Sequence, residues 1–254
     1  MEVVNSGVAG WTSWESKINF MTRVLDLEPD MIIIYHAIKD IHARIVWPPE
    51  VYRGDNSGHY SSRISPVGRS SIFENSTALR MILVSLGVTQ PVADLDSIQN
   101  VSDTYYAREF LNQKYYGTYP DGIFKEVSAE KMLETNKPVY FERNISNIAG
   151  YARDHGIVAI IASFAYSPLF TDDTRVSSEE YISAFDEMNS VLKKVAGEYN
   201  AEFFDFEKVF PKDKKYYYDG RYVTPEGARL KSDLFADFIV SNSLIPQKYR
   251  NGSD

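Results

Sequence analysis

The chain has 254 residues, 44% apolar and 24% charged, which excludes fibrous and disordered classes and allows one α/β domain with a buried core. Its 27 basic against 35 acidic side chains give a formal charge of −8, arguing against a nucleic-acid partner, because phosphate recognition relies on clustered Lys and Arg. Cysteine is absent, so disulfides, thiolate chemistry and cysteine-held metals are excluded.

In chain order, residues 2–5 read as a strand, and Met1-Glu2-Val3-Val4-Asn5 has no basic region followed by an apolar stretch, so no signal peptide is expected there. No apolar run reaches the length of a membrane span, and a cytoplasmic location is the default expectation. Thr12-Ser13-Trp14-Glu15 has the form of a capping box opening a helix to about Leu27, with Trp14, Ile18, Met21 and Leu25 at helical spacing on one apolar face. Met31-Ile32-Ile33-Ile34-Tyr35 is a run of β-formers suited to a strand covered on both faces, hence a parallel sheet. Residues 40–71, rich in Pro, Gly, Ser and Arg, form a long loop, followed by helical segments at about 75–86 and 102–114.

The alternation then becomes regular. A helix over 139–155 ends at Gly156 and leads into a strand at 157–162. Ser177-Ser178-Glu179-Glu180 reads as a second capping box for a helix to about Tyr199, with a strand at 201–206 after it. Thr224 caps a last helix that has Pro225 at its first position, and residues 251–254 are a polar tail beyond one domain spanning 1–250. Strand and helix in alternation imply right-handed crossovers and a doubly wound sheet with ligands at the carboxyl ends of its strands.

Three segments at those strand ends carry a resemblance. Val3-Val4-Asn5-Ser6-Gly7-Val8-Ala9-Gly10, the segment 29–40 ending in Ala37-Ile38-Lys39-Asp40, and Asp219-Gly220-Arg221-Tyr222-Val223-Thr224-Pro225-Glu226-Gly227 are similar to the second, third and fifth blocks of the SGNH (GDSL-type) hydrolases. The resemblance implies a three-layer α/β/α sandwich with a flavodoxin-like sheet in the order 2-1-3-4-5, and a lineage of acyl-ester hydrolases acting on carbohydrate or lipid esters. It implies that Gly7 supplies an oxyanion amide, that Lys39 stands where the family has an oxyanion asparagine, and that Tyr222 stands where it has the general-base histidine beside Asp219. The Gly-Asp-Ser block of the family has no counterpart, so the first, central strand and its nucleophile are expected to be missing.

Ester hydrolysis needs a nucleophilic hydroxyl, a base for its proton and fixed donors for the oxyanion. Lysine carries charge on a flexible stem rather than a fixed carboxamide, and a tyrosine titrating near pH 10 is a poor proton acceptor at neutral pH. The reading is therefore of a truncated or inactive member, a pseudoenzyme; the alternatives are a non-catalytic carbohydrate- or acyl-binding scaffold and an enzyme rebuilt around Lys39, Tyr222 and Asp219. No cofactor is implied, and no His-x-x-x-His spacing points to a metal. A small ester or carbohydrate is the expected ligand, with oligomeric state left open.

Other residues have plainer readings. His36 is assigned to packing, Gly54-Asp55-Asn56-Ser57-Gly58 to a turn, and Asp40 and Asp219 either to paired acid/base carboxylates or to helix and loop capping. Of 18 tyrosines, clusters fall at 105–106, 115–116 and 216–218, suiting either sugar or acyl binding or edge packing. Asn75, Asn100, Asn144 and Asn251 begin glycosylation-like triplets. Without the central strand, the strands at 2–5 and 31–35 are expected to pair directly or to borrow a strand.

Overall fold

A computed structural model describes residues 2–46, 49, 52–55, 78, 81, 82, 85, 86 and 128–250. The helical segments expected at 75–86 and 102–114 lie largely or wholly outside those residues, as do His59, the tyrosine pairs at 105–106 and 115–116, Asn75, Asn100 and the 251–254 tail.

Three strands form an open parallel sheet in the order β1-β2-β3: β1 (Met31–Ile34), β2 (Val158–Ala162) and β3 (Glu202–Phe204). Ile33 pairs with Ile160, and Ile161 with Phe203. Each strand coincides with an apolar run, because a strand packed on both faces has no room for polar alternation. Side chains on β2 alternate between two clusters: Ala159 and Ile161 face one, Ile160 and Ala162 the other.

The first cluster is covered by α2 (Ile38–Arg44), α3 (Ala129–Thr135), α4 (Val139–Asp154), the short α5 (Thr174–Ser177) and α6 (Glu179–Tyr199). Gly156 follows α4 with φ +69°, the left-handed conformation that ends a helix. Phe204 of β3, Phe206 and Phe210 of the turn of helix α7 (Phe206–Val209), and Phe235 of α8 (Pro225–Ser241) build the second cluster. Thr224 caps α8 through an acceptor bond from the Gly227 amide at 3.1 Å, with Pro225 at the first position.

Four expectations are corrected. Residues 2–5 form no strand and do not pair with β1; Val3 and Val4 are exposed, because nothing in the described fold offers them a ladder. The helix expected over 12–27 is regular only over α1 (Ser13–Asn19), then widens into a π turn at Phe20–Val24 and tightens into a 3-10 turn at Leu25–Leu27. Ile18, in the regular part of the helix, is exposed, and Phe20, at the head of the π turn, is buried. At α6 the second capping box does not form: Ser177 ends α5, and the Ser178 hydroxyl is buried without a partner among the described residues. Asn144 is fully buried inside α4, where no glycan can be attached to the folded chain. No described helix is long and apolar enough to cross a membrane.

Candidate functional site

Loops at the carboxyl ends of the strands gather the charged groups. Lys39 lies in the first turn of α2, directly after β1. Burial, then the guanidiniums of Arg221 and Arg175, hold its amine below the usual lysine range, while Asp219 acts in the opposite sense. Two of the four family-matched positions, Lys39 and Asp219, thus share one electrostatic neighbourhood.

Asp219 ties its own loop. One carboxylate oxygen accepts the Arg221 amide at 3.0 Å and the Tyr222 amide at 2.9 Å; the other accepts the Arg221 guanidinium at 2.7 Å. The same guanidinium nitrogen donates to Asp173 at 3.0 Å, and Asp173 also takes Arg175 at 2.7 Å through Nε. Burial opposes charge on Asp173, but the two arginines prevail and hold its carboxyl below the normal range. Arg221 is buried, and its Nε has no partner among the described residues.

Gly220 closes this turn with φ +81°, and a Cβ there would stand 2.7 Å from the Ser167 carbonyl oxygen. Ser167 in turn donates its amide to the Gly220 carbonyl at 2.8 Å. Gly220→Ala therefore meets both strain and a backbone clash, and thermal denaturation is expected to register a loss of about 2 kcal/mol.

Asp219 meets the amide of Tyr222, not its hydroxyl, and the Tyr222 ring is 49% exposed. Tyr222 is fixed instead by its carbonyl, which accepts the Tyr218 amide at 2.8 Å. Of the neighbouring tyrosines, Tyr217 is buried in the second core cluster and Tyr218 is exposed. Gly7 lies in the exposed segment before α1, with its amide given to the Asn5 side chain at 3.0 Å. An amide so engaged is not directed at a ligand.

A second polar centre, missed by the sequence reading, joins α1, α2 and α4. Asp40 accepts the Ser13 amide at 3.0 Å and the Ser13 hydroxyl at 2.6 Å, and the Asn144 amide donates to that hydroxyl at 3.1 Å. His36 Nδ1 stands 3.7 Å from the other Asp40 oxygen. Burial is the leading cause of both shifts: it raises the Asp40 carboxyl to about 7 and lowers the His36 imidazole to about 4. Each group is thereby driven toward its neutral form.

The trio Ser13, His36 and Asp40 has the residue types of a hydrolytic triad in the wrong order. Asp40 separates the hydroxyl from the imidazole, and Ser13 is fully buried. A triad base must instead touch the nucleophile, with the carboxylate behind it. Asp40 caps the amino end of α1 from a distance, and Asp219 caps a loop, so both carboxylates take the capping role. The link from Asp40 to Ser13 spans 27 positions, and no local pattern announces it.

Thr12 completes α1 locally: its amide donates to the Glu15 carboxylate at 2.8 Å, and its hydroxyl accepts the Trp14 amide at 3.3 Å. The remaining described histidines have structural surroundings: His42 packs edge-on to Tyr181, and the His155 Nδ1 meets the Tyr151 carbonyl oxygen at 2.8 Å. Among the described residues no group of three His, Cys, Asp or Glu is arranged to hold a metal ion.

The fold and these centres define an α/β protein with a charged cluster at the carboxyl ends of a parallel sheet. Comparison with protein-family profiles, with characterised proteins and with solved structures finds no match to this chain.

Proposed function

We propose that the chain is a member of the SGNH-type hydrolase lineage that has lost acyl-transfer chemistry and uses the former active-site edge as a ligand-binding or scaffolding surface. The proposed architecture is a three-layer α/β/α sandwich of flavodoxin-like topology, with β1, β2 and β3 as its third to fifth strands. Support comes from core clusters on both sides of β2 and from the block-like segments at 29–40 and 219–227.

One observation carries the functional reading: Asp219, the carboxylate that would orient a base, is bound to Arg221 and to two backbone amides instead of an imidazole. A carboxylate held by a permanent cation offers no route for a proton relay. Gly7 and Lys39 add no fixed oxyanion donor, since one amide is engaged and the other side chain is a flexible cation. Ligands suited to the surface are small esters or sugars, whose apolar faces would meet the exposed Tyr218 and Tyr222 rings.

Hydrolysis of p-nitrophenyl acetate by the purified chain, by Lys39→Ala and by Tyr222→Phe is expected to remain at the buffer rate in all three. A rate above buffer that either substitution lowers by tenfold or more would establish a rebuilt active site.

A further inference from the structure

Lys231 stands apart from the other described lysines. It lies within α8, yet its Nζ is 3.4 Å from the centre of the Tyr35 ring, with Phe206 at 5.7 Å and Phe235 at 5.9 Å. Tyr35 directly follows β1 and Phe206 follows β3, so the amine is half-buried at the carboxyl ends of the strands, where α/β sheets take ligands. Among the described residues no carboxylate lies within ion-pair distance of it. Exposed lysines such as Lys131 and Lys194, by contrast, are paired with Glu134 and Glu142.

We propose that Lys231 is a carbonyl-capturing amine that forms a reversible imine with small apolar or aromatic aldehydes. Aromatic faces accept a cation through their quadrupole but solvate it less well than water does. The same enclosure holds the Lys231 amine down to about 8, with burial as the cause. A larger neutral fraction at neutral pH makes such an amine nucleophilic, as for desolvated lysines generally.

The step balances without an oxidant. The Nζ lone pair of the neutral amine adds to the carbonyl carbon and a proton passes from nitrogen to oxygen, giving a neutral carbinolamine; a proton from solvent then goes to its hydroxyl, which leaves as water as the C=N bond forms, so that the product is the protonated imine. The protonated imine keeps one positive charge, which the Tyr35 face stabilises as it does the ammonium.

Lys17 provides an internal comparison. Its Nζ lies 3.7 Å over the Trp14 ring, and burial, then Arg143, lowers its pKa, but the ring belongs to its own helix α1 and not to a residue that follows a strand. The test treats the folded chain at pH 7 with limiting benzaldehyde and cyanoborohydride, which reduces the imine to a stable secondary amine, and maps labelled peptides by mass. Labelling of Lys231 at least about tenfold faster than that of Lys131 and Lys137, and its loss without transfer elsewhere in Lys231→Arg, is expected. Labelling of Lys231 at the rate of exposed lysines, preferential labelling of Lys17, or undiminished total labelling in Lys231→Arg would overturn the proposal.

Discussion

Replacing Arg44 with methionine is expected to lower the unfolding free energy by about 2–6 kcal/mol, seen as a reduced urea midpoint at unchanged slope. Arg44 ends α2 and is fully buried. Its Nε donates to the Asn136 carbonyl at 2.6 Å and one terminal nitrogen donates to the Leu133 carbonyl at 2.7 Å. Those carbonyls belong to the carboxyl end of α3, where helices leave acceptors unmatched and favour a cation. Asn136 returns the link by donating to the carbonyls of Arg44 at 2.6 Å and Val46 at 2.9 Å. Two segments about ninety positions apart are thus locked by reciprocal bonds.

Glu187 on α6 completes the arrangement at 2.6 Å from Arg44, yet its side chain is 33% exposed and Lys137 also lies within 3.6 Å. Loss of the arginine therefore strands buried carbonyls rather than a buried carboxylate. Glu187→Gln is accordingly expected to cost under about 1 kcal/mol, since a part-exposed ion pair is screened by water. Arg44→Lys should fall between wild type and Arg44→Met, because a single ammonium cannot reproduce the fork. Equal stability of Arg44→Met and wild type would show that apolar packing replaces these bonds.

Opposite pH profiles are expected from the two single substitutions at His36 and Asp40. The folded Asp40 carboxyl titrates at about 7, against an ordinary 3.8, so its stabilising contribution is complete below about pH 4 and is lost as pH rises toward 7. The folded His36 imidazole titrates at about 4, against 6.5, so its contribution is complete above pH 6.5 and is lost as pH falls toward 4. At about 1.4 kcal/mol per pH unit, the Asp40 effect is on the order of 4 kcal/mol and that of His36 about 3 kcal/mol.

In wild type these slopes oppose each other between pH 4 and 6.5. Unfolding there transfers a proton from Asp40 to His36, with almost no net uptake from this pair. His36→Gln should expose the Asp40 slope, with stability falling as pH rises; Asp40→Asn should expose the His36 slope, with stability rising. Urea titrations of both variants at pH 4.5, 5.5 and 6.5 measure this. The Glu15 carboxylate beside Asp40 reinforces its neutral form, whereas the Ser13 bonds favour the anion, and the balance rests on burial. Parallel slopes in the two variants would mean that the pair is ionised in the folded state.

The strands were legible because burial on both faces leaves a composition signal that does not depend on partners: Met31–Ile34 and Val158–Ala162 are continuous apolar runs. Thr12 and Thr224 were legible as caps because their partners lie within three residues. Residues 2–5 misled because the adjacent valines Val3 and Val4 state only a strand propensity; pairing decides whether a ladder forms. Ser13, Arg44 and Lys231 were not legible as organising groups. Each depends on a distant partner, Asp40 for Ser13, Glu187 for Arg44 and Tyr35 for Lys231, and a polar side chain in a helix ordinarily means solvent.

Within the candidate site, Asp219 and Lys39 were placed at one sheet edge by the resemblance of their segments to family blocks, but the role of Asp219 was set by Arg221, two residues on. That arginine carried no signal of its own, because a charged residue next to a glycine turn reads equally well as exposed.

Among the described residues no serine is an activated nucleophile, and Ser13 serves Asp40 as a buried tie. Treating the folded chain with a fluorophosphonate probe and mapping any adduct by peptide mass tests this directly. No labelled serine above the level of the urea-unfolded chain is predicted among the described residues; stoichiometric labelling of Ser13, or of any other described serine, would contradict it.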